Sequence, residues 1–382
     1  MISKKSEKKP RIDKNIVEAI YKFNVGKSVS PNLLTDAFRA IFNLSEDELK
    51  RFGDVQFGIL VSGLMSNKPT PEQIEALLRL SFYIDKFKPL SHKIELPPGN
   101  KLVAAVGSGK KGRKTINIST PACIIASSLG AYVAKPIWGS TSSLTGSADL
   151  MKGLGVKTDI GFYKMKKVLQ KVGFGVFSIV DSIPNFERVY CGKFFAPTPF
   201  SFGLAALSCP VKYDSILYGL AHPNVELSAE VIRKFGVNDA AIVSTTDDGI
   251  HYIDEAGVFG KTLLAKIESG KTSRTRLIDP YSELGLSHYS WTDIAEGNSV
   301  EDNIKSVIDI LSGKGDIAKE DMICFNTSIL LGLAGLAPRN SFKKGYKMAK
   351  NAIKLGLPMK KLISFIKATG GDTSIVKSYI GR

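Results

Sequence analysis

A glycine-rich loop, Gly107-Ser-Gly-Lys-Lys-Gly112, precedes the polar run Asn117-Ile-Ser-Thr120 and, further along, Lys135. Backbone N–H groups in such a loop and at a helix start attract anions, and hydroxyl, amide and ammonium groups add further donors. These residue types and their spacing predict a phosphate cradle, although the loop alone is also compatible with a tight structural turn. The nucleotide loop G-x-x-x-x-G-K-[ST] is excluded because Arg113-Lys114 stand where its Lys-Ser/Thr pair is required.

The segments around this loop predict a parallel β-loop-α-β unit. Lys101–Val106 and Ala131–Ala134 are short apolar runs typical of buried strands, and Ala122–Leu129 between them reads as an apolar helix. Ser119 or Thr120 is expected to cap that helix. In a parallel unit the loop and the helix start lie at the carboxyl edge of the sheet, where open α/β sheets bind ligands.

The sequence resembles the anthranilate phosphoribosyltransferase family, which belongs to a glycosyltransferase group shared with pyrimidine nucleoside phosphorylases. The resemblance begins with Gly107–Thr120, Lys135 and Ser140–Asp149, which are similar to the family's glycine loop, its Asn-Ile-Ser-Thr segment and its Lys…Ser-Ser-x-x-Gly-Ser-x-Asp segment. Gly219-Leu-Ala-His-Pro223 and Cys324-Phe-Asn-Thr-Ser328 resemble later family segments. The order and spacing of these segments identify the fold.

The resemblance implies a site for phosphoribosyl pyrophosphate. The residues that it assigns to the donor are Gly107, Thr115, Asn117, Ser119, Thr120, Lys135 and Ser143. We predict that Ser108, Gly109, Lys110 and Lys111 of the same loop bind the donor phosphates as well. Ser119 would also contact a magnesium ion. On the acceptor side, the resemblance points to Lys193 and Trp138.

The chain departs from the family at both ends of this expected site. Lys110 and Lys111 replace a glycine and an aspartate of the family loop. Lys135-Pro-Ile-Trp-Gly139 lacks the His and Asn that approach anthranilate in the family, and Lys193 aligns with the arginine that holds the anthranilate carboxylate. An acceptor other than anthranilate is therefore predicted.

The acidic pair that binds magnesium in the family aligns with His251-Tyr252, and Asp254-Glu255 follow it along the chain. On an extended strand, that displacement is about 10 Å. We therefore expect Asp254-Glu255 to form a hairpin turn away from the site, unless the turn is rebuilt, and magnesium binding to be weakened. His251 is expected on the surface of a strand.

We hypothesise that the apparent loss of acidic residues and the gain of lysines are linked changes. A diphosphate needs its charge compensated, either by metal ions held by carboxylates or by ammonium groups. Lys110 and Lys111 would then supply charge that a metal supplies in the family. The alternative is that Lys110–Lys114 is a solvated basic loop without a fixed ligand.

The whole chain predicts an α/β fold with a helical domain: an N-terminal helical bundle plus a mostly parallel sheet flanked by helices, as in nucleoside phosphorylases and phosphoribosyltransferases. The predicted divisions are a basic disordered arm at 1–12, a helical domain at 13–95 with about 183–208, and an α/β domain at 98–182 and 209–382. Phe174–Val180 is one further predicted strand. We expect a homodimer through the helical domain.

Composition indicates which ligands and which cellular location the protein is expected to have. Its 382 residues include 52 basic and 36 acidic side chains, a net charge of +16 that favours anionic ligands. The N-terminal basic run has no apolar core of a signal peptide, and no segment has the apolar length of a membrane span. The four cysteines show no metal-binding spacing. A cytoplasmic protein with reduced thiols is predicted.

Two functions remain open from the sequence. The first is a glycosyltransferase in which positioning and charge stabilisation of leaving pyrophosphate drive the reaction. Backbone N–H groups of residues 107–112 would contribute to that stabilisation. The second is a catalytically altered paralogue that binds single-stranded nucleic acid through its basic surface, with Trp138 available for stacking on a base.

Overall fold

The computed structural model describes residues 12–139 and 144–380. Helices occupy its N-terminal part, joined by a π-helical turn at Leu49–Gly53: α1 Lys14–Asn24, α2 Pro31–Phe42, α3 Glu46–Glu48, α4 Asp54–Ser66 and α5 Pro71–Ile84. Thr70 and Gln73 form a reciprocal capping box at the start of α5, which fixes where that helix begins.

A mixed sheet forms the centre of the remaining chain. Its strands are β1 Leu102–Gly107, β2 Tyr132–Ile137, β3 Phe174–Ser178, β4 Ser215–Gly219, β5 Ala240–Thr246, β6 Lys261–Glu268, β7 Lys271–Thr272 and β8 Arg276–Ile278. The order is β3-β2-β1-β4-β5-β6-β7, with β8 also paired to β6. The first five strands in this order are mutually parallel and the others antiparallel. The carboxyl ends of β1, β2 and β4 therefore meet at one edge.

Helices cover the sheet and complete the chain. They are α6 Ser119–Ser128, α7 Ser147–Gly153, α8 Phe162–Val172, α9 Ile179–Ser182, α10 Pro184–Tyr190, α11 Leu204–Leu207, α12 Val225–Arg233, α13 Pro280–Leu284, α14 Val300–Leu311, α15 Ile317–Leu333, α16 Phe342–Lys354, α17 Leu357–Thr369 and α18 Thr373–Ile380. Short 3₁₀ helices lie at Pro199–Phe202 and Trp291–Ile294. The predicted fold class is confirmed: a helical N-terminal region precedes a mostly parallel sheet flanked by helices.

Burial explains why α6 is apolar on every side. The helix packs between β1, β2 and the long α15, so most of its residues are inaccessible to water. It begins at Ser119, with Ile118 as its N-cap residue and no side-chain cap. The prediction that Ser119 or Thr120 caps it is therefore wrong, and the Ser119 hydroxyl instead accepts a hydrogen bond from Lys135.

The predicted strand Phe174–Val180 ends early in the structure. Ser178 accepts a hydrogen bond from the backbone of Asp181 and thereby caps the short helix α9. Beyond it, Phe186 and Phe200 pack against rings of the N-terminal helices, with Phe186 and Phe42 centroids 5.4 Å apart. This contact agrees with the expected return of the chain to the helical region, while the domain limits themselves stay a prediction.

Three other expectations concern membrane-spanning helices, the cysteines and the N-terminal arm. In the described part of the chain, no helix is both long and apolar enough to cross a membrane. Cys123, Cys209 and Cys324 are buried free thiols, and Cys191 is exposed. The arm predicted at 1–12 falls almost entirely outside the described residues, which begin at Ile12.

Candidate functional site

The main cleft lies at the carboxyl edge of β1, β2 and β4, where the loop after β1 meets the start of α6. Most of the predicted donor and acceptor residues line it: Gly107, Ser108, Gly109, Lys110, Lys111, Thr115, Asn117, Ser119, Lys135 and Trp138. The parallel unit predicted from the sequence thus brings the glycine loop, the polar run and Lys135 to one place. Asn117 is held there by a 2.8 Å hydrogen bond from its amide to the Thr145 carbonyl.

Three predicted residues are not part of the described lining. Thr120 lies inside the protein, and its hydroxyl is buried without a hydrogen-bond partner. Lys193 is paired with Asp54 of α4 at 2.5 Å. Ser143 lies outside the described residues.

A second loop, residues 246–255, interlocks with the glycine loop. The Gly109 N–H donates to Asp254 Oδ2 at 2.7 Å, and the Gly112 N–H donates to the Tyr252 carbonyl at 2.8 Å. The Ser108 N–H donates to the Gly219 carbonyl. These three N–H groups are engaged within the protein, so they do not form the backbone cradle expected from the sequence.

Asp254 reaches this position because glycines stand opposite it. A Cβ atom at Gly219 would lie 1.6 Å from the Asp254 carbonyl oxygen, and one at Gly107 would lie 2.1 Å from its Oδ2. No other residue type fits at such distances. Gly107, which the sequence suggests for a phosphate, and Gly219 therefore allow the close approach of an acidic segment.

The expectation that Asp254 and Glu255 form a turn away from the site is wrong. Ile253 pairs with Thr245 at the end of β5, through N–H to carbonyl bonds of 2.9 and 3.1 Å. Residues 246–252 therefore bulge outward and return to the strand end, so the extended-chain displacement does not arise. Asp254 and Glu255 are buried and line the cleft.

His251 belongs to the outward bulge rather than to a strand. Its Nδ1 lies 2.6 Å from Asp248 Oδ2, and Asp248 Oδ1 accepts the N–H groups of Ile250 and His251. Arg113 reaches the same carboxylate at 2.8 Å and lies over the Trp291 ring. This local network stabilises the bulge and attaches it to the chain beyond the glycine loop.

Lys111 is the counter-ion of the acidic pair. Its ammonium lies 2.5 Å from Glu255 Oε1, 3.6 Å from Asp254 Oδ1 and 2.7 Å from the Thr115 hydroxyl. Burial lowers the pKa of Lys111, but the two carboxylates outweigh burial and raise it. Burial and the charge of Asp254 raise the pKa of Glu255 to about 8, against the opposing effect of Lys111. We call Ser119, Lys111, Lys135, Asp254 and Glu255 the charged end.

Lys135 lies within the charged end almost without exposure. Its ammonium donates to the Ser119 hydroxyl at 2.9 Å and to the Ala105 carbonyl at 3.3 Å. Burial lowers its pKa, while Asp254 and Glu255 act in the opposite direction. A buried ammonium with a hydroxyl beside it is suited to an anionic ligand.

Lys110 points to the other end of the cleft. Its ammonium donates to the Phe194 carbonyl at 3.0 Å and lies 4.6 Å from the centroid of the Tyr190 ring. Its backbone is left-handed, with φ 60°, a conformation that glycine adopts without strain but other residues rarely do. Burial lowers the pKa of Lys110 to about 8. Together with Trp138, Tyr190 and Phe200 it forms what we call the aromatic end.

Trp138 connects the aromatic end to a buried acid. Its indole N–H donates to Glu187 Oε2 at 2.9 Å, while Oε1 of that carboxylate is buried without a partner. Burial raises the pKa of Glu187 to about 7, although the Trp138 hydrogen bond acts against it. Trp138 is thus anchored by a hydrogen bond, with its ring at the wall of the cleft.

The alternative of a solvated basic loop at Lys110–Lys114 is also wrong. Lys110 and Lys111 are paired inside the cleft, and Arg113 is paired in the bulge network. The Lys114 ammonium donates to the Lys111 carbonyl at 3.2 Å. The loop has a fixed structure that depends on these contacts.

The sequence reasoning missed several wall residues. Tyr190, Phe200 and Leu204 come from the segment that returns to the helical region, and Tyr218 precedes Gly219, the last residue of the buried strand β4. Tyr218 donates a hydrogen bond to the Ser201 carbonyl. The position of Tyr218 directly before Gly219, at the carboxyl end of a parallel strand, is a signal that could have identified it.

Comparison with known proteins supports the family resemblance seen in the sequence. A profile of the family described as "Glycosyl transferase family, a/b domain" matches residues 99–358. The anthranilate phosphoribosyltransferase of Polynucleobacter necessarius is 30% identical over 315 residues, covering 82% of this chain and 87% of that protein. The Aquifex aeolicus enzyme is 28% identical over 330 residues, covering 86% and 92%.

Solved structures share the fold. The anthranilate phosphoribosyltransferase of Thermus thermophilus superposes with a TM-score of 0.72 at 22% identity, over 92% of this chain and 99% of that one. The Saccharomyces cerevisiae enzyme in complex with PRPP and Mg gives a TM-score of 0.71 at 21% identity, over 93% and 98%. The profile match and the 30% identical relative show that this chain belongs to the glycosyl transferase family, as an anthranilate phosphoribosyltransferase-like member.

Proposed function

We propose that this protein transfers a phosphoribosyl group from a phosphoribosyl pyrophosphate-type donor to an acceptor other than anthranilate. The observation that carries the proposal is the charged end, where Ser119 and Lys135 share one cleft with Asp254 and Glu255. The relatives are phosphoribosyltransferases, and one solved relative holds PRPP and Mg. These features together support binding of a phosphoribosyl pyrophosphate-type donor.

In the proposed reaction, a nucleophilic atom of the acceptor bonds to the anomeric carbon of the donor. The bond from that carbon to the pyrophosphate oxygen breaks, pyrophosphate leaves with the electron pair, and the acceptor proton passes to solvent. Lys135 and Ser119 would bind the charge of the leaving pyrophosphate. Such electrostatic stabilisation is a large contribution to catalysis in a buried site.

The charged end also fits a magnesium ion. Asp254 Oδ1 and Glu255 Oε2 are buried and accept no hydrogen bond, and Oδ1 faces the Lys111 ammonium at 3.6 Å, so both oxygens are placed to accept a cation. Magnesium is usually bound by one or two carboxylates together with substrate phosphates. Among the described residues, no group of three or more His, Cys, Asp or Glu is placed to hold a metal. Asp254, Glu255 and Ser119 would hold the ion, which would neutralise the leaving diphosphate.

The aromatic end supports a changed acceptor. Trp138 belongs to the segment 135–139, which lacks the His and Asn that approach anthranilate in the family. Its indole N–H donates a hydrogen bond to the Glu187 carboxylate. A carboxylate beside the wall disfavours an acidic acceptor when it is ionised. Lys193, aligned with the arginine that holds anthranilate, is engaged by Asp54. Uncharged or hydrogen-bond-donating flat acceptors fit this end better than an aromatic acid.

The test is pyrophosphate release from phosphoribosyl pyrophosphate and magnesium, with separate panels of aromatic acids and heterocyclic bases. We expect at least one base to support release and anthranilate to support little or none. Ser119→Ala should reduce release by about 10-fold or more, because a hydrogen bond to a charged group is lost. Efficient release with anthranilate would overturn the acceptor assignment, and no release with any acceptor would overturn the transferase.

Binding of single-stranded nucleic acid is the second candidate. Lys343, Lys344 and Lys347 are exposed beside one another on α16. Binding to phosphates through such lysines must weaken with salt, by about 0.7 log units per log unit of salt for each contact to a single strand. Micromolar binding of an oligonucleotide with a steep slope, lost in a Lys343→Gln/Lys344→Gln/Lys347→Gln variant, would favour this function. Salt-insensitive or undetectable binding would exclude it.

A homodimer through the helical region is also proposed. Tyr21 of α1 and Val55 of α4 are exposed apolar side chains, 67% and 63% accessible, and Val25 follows α1 with 66%. Light scattering should give twice the chain mass, and Tyr21→Glu/Val55→Glu should give the monomer mass. A monomeric parent protein would overturn the dimer. A cytoplasmic location stays a prediction.

A further inference from the structure

The acidic pair of the charged end is already charge-balanced by the protein itself. Asp254 and Glu255 are 4% and 5% exposed, and a buried carboxylate pair without a cation is strongly unfavourable. Lys111 provides that cation through its 2.5 Å contact with Glu255 and its 3.6 Å approach to Asp254.

The ammonium is positioned by its surroundings and not only by attraction. Thr115 accepts a hydrogen bond from it at 2.7 Å, and the Lys111 carbonyl is held by the Lys114 ammonium at 3.2 Å. The Lys111 side chain is only 14% exposed. The backbone beside it is fixed as well, because the Gly109 N–H donates to Asp254. The cation is therefore built into the loop.

We propose that Lys111 is a tethered counter-ion that competes with a divalent cation for Asp254 and Glu255. A metal ion can use these carboxylates fully only when the ammonium moves away from them, since two cations so close together repel each other. Glu255 Oε2, which accepts no hydrogen bond, would give the metal its first contact, and Asp254 Oδ1, which faces Lys111 at 3.6 Å, would follow once the ammonium moves. This inference rests on the proposed function for its biological meaning, but the competition concerns metal binding alone.

Lys110 provides a matched comparison in the same loop. It carries the same charge, but its ammonium contacts the Phe194 carbonyl and the Tyr190 ring at the aromatic end. Removing its charge changes the total field of the loop and leaves the Lys111 contacts in place. A local competition therefore predicts different results for the two neighbouring lysines.

The test is the affinity for Mn²⁺, and separately for Mg²⁺, measured by calorimetry on the full chain without donor. We expect Lys111→Gln and Lys111→Met to bind Mn²⁺ at least about 10-fold more tightly than the parent protein, a difference of about 1.4 kcal/mol. Lys111→Arg keeps the charge and should stay as weak as the parent. Lys110→Gln should remain within about threefold of the parent, because its contacts lie elsewhere.

Equal affinity in the parent and both neutral Lys111 variants would overturn the proposal, as would an equal gain in Lys110→Gln. Should the neutral variants fail to fold, the parent decides: Mn²⁺ binding weaker than about 100 μM without donor agrees with competition, and tighter binding contradicts it. Pyrophosphate release is not used in this test. A negative result in the transferase assay can therefore be told apart from a negative result in the metal-binding test of Lys111.

Discussion

The charged end and the aromatic end of the cleft handle buried charge in opposite ways. At the charged end, Lys111 and Glu255 lie 2.5 Å apart, and each charge has a partner of opposite sign. At the aromatic end, Lys110 contacts a carbonyl and a ring, and Glu187 contacts an indole N–H. For the lysines the result follows the partner: the contacting carboxylates raise the pKa of Lys111, whereas burial lowers that of Lys110 to about 8.

At the charged end, burial and Asp254 raise the pKa of Glu255 to about 8 against the opposing effect of Lys111, whereas the groups of the aromatic end titrate near neutral pH without an ion pair. Burial lowers the pKa of Lys110 to about 8 and raises that of Glu187 to about 7. These two side chains therefore change charge close to physiological pH. The charged end suits the binding of a highly charged donor, and the aromatic end suits discrimination among weakly charged acceptors.

The largest effect is expected from breaking the pair at the charged end. Above pH 8, where Glu255 is ionised, Glu255→Gln should lower the free energy of unfolding by about 3 kcal/mol, because the buried Lys111 ammonium loses its nearest counter-charge. Urea denaturation measures this change. The double variant Lys111→Met/Glu255→Gln should recover most of the loss. A cost below about 1 kcal/mol, typical of exposed pairs, would contradict the description of the charged end.

A smaller effect tests the close approach of the acidic segment. Gly219→Ala should cost about 1–3 kcal/mol and weaken Mn²⁺ binding, because the added Cβ would displace Asp254. Gly58→Ala is the matched control, since nothing lies within 4 Å of a Cβ there and the residue is in α4. That control should be neutral or slightly stabilising. Unchanged metal binding in Gly219→Ala would show that Asp254 does not need this position.

The smallest effect is spectroscopic and concerns the aromatic end. In a Trp291→Phe background, Trp138 fluorescence should change with a midpoint near pH 7 as Glu187 ionises. The transition should disappear in Glu187→Gln. Because the folded-state pKa of this carboxyl is raised, its contribution to stability is present below the ordinary pKa of 4.5 and is lost as pH rises through 7. A transition that persists in Glu187→Gln would assign it to another group.

Local sequence patterns are sufficient to predict the β-loop-α-β unit that forms one wall of the cleft. The apolar runs of β1 and β2, with the helix α6 between them, placed Ser119, Asn117 and Lys135 correctly at one edge of the sheet. The capping box of Thr70 and Gln73 is likewise formed by residues close in sequence. Such features depend on residues that are neighbours in sequence, and their patterns can be read directly.

The other parts of the cleft could not be predicted from the sequence, because they depend on contacts between residues far apart in the chain. Asp254 and Glu255 enter the cleft because Ile253 pairs with Thr245 after an outward bulge, which no periodicity reveals. The loop N–H groups of Gly109 and Gly112 are engaged by that same returning segment. The opposite directions of two adjacent lysines likewise depend on partners far along the chain.

The most direct test of the account is calorimetric binding of phosphoribosyl pyrophosphate, with and without Mg²⁺, to the parent protein and to Lys135→Met. We predict one donor per chain, tighter binding with Mg²⁺, and at least about 10-fold weaker binding in Lys135→Met, which loses a charge-assisted contact. Thermal unfolding of that variant checks that its fold is retained. No donor binding to the parent, or equal binding to a folded Lys135→Met, would contradict a phosphoribosyl diphosphate site at the charged end.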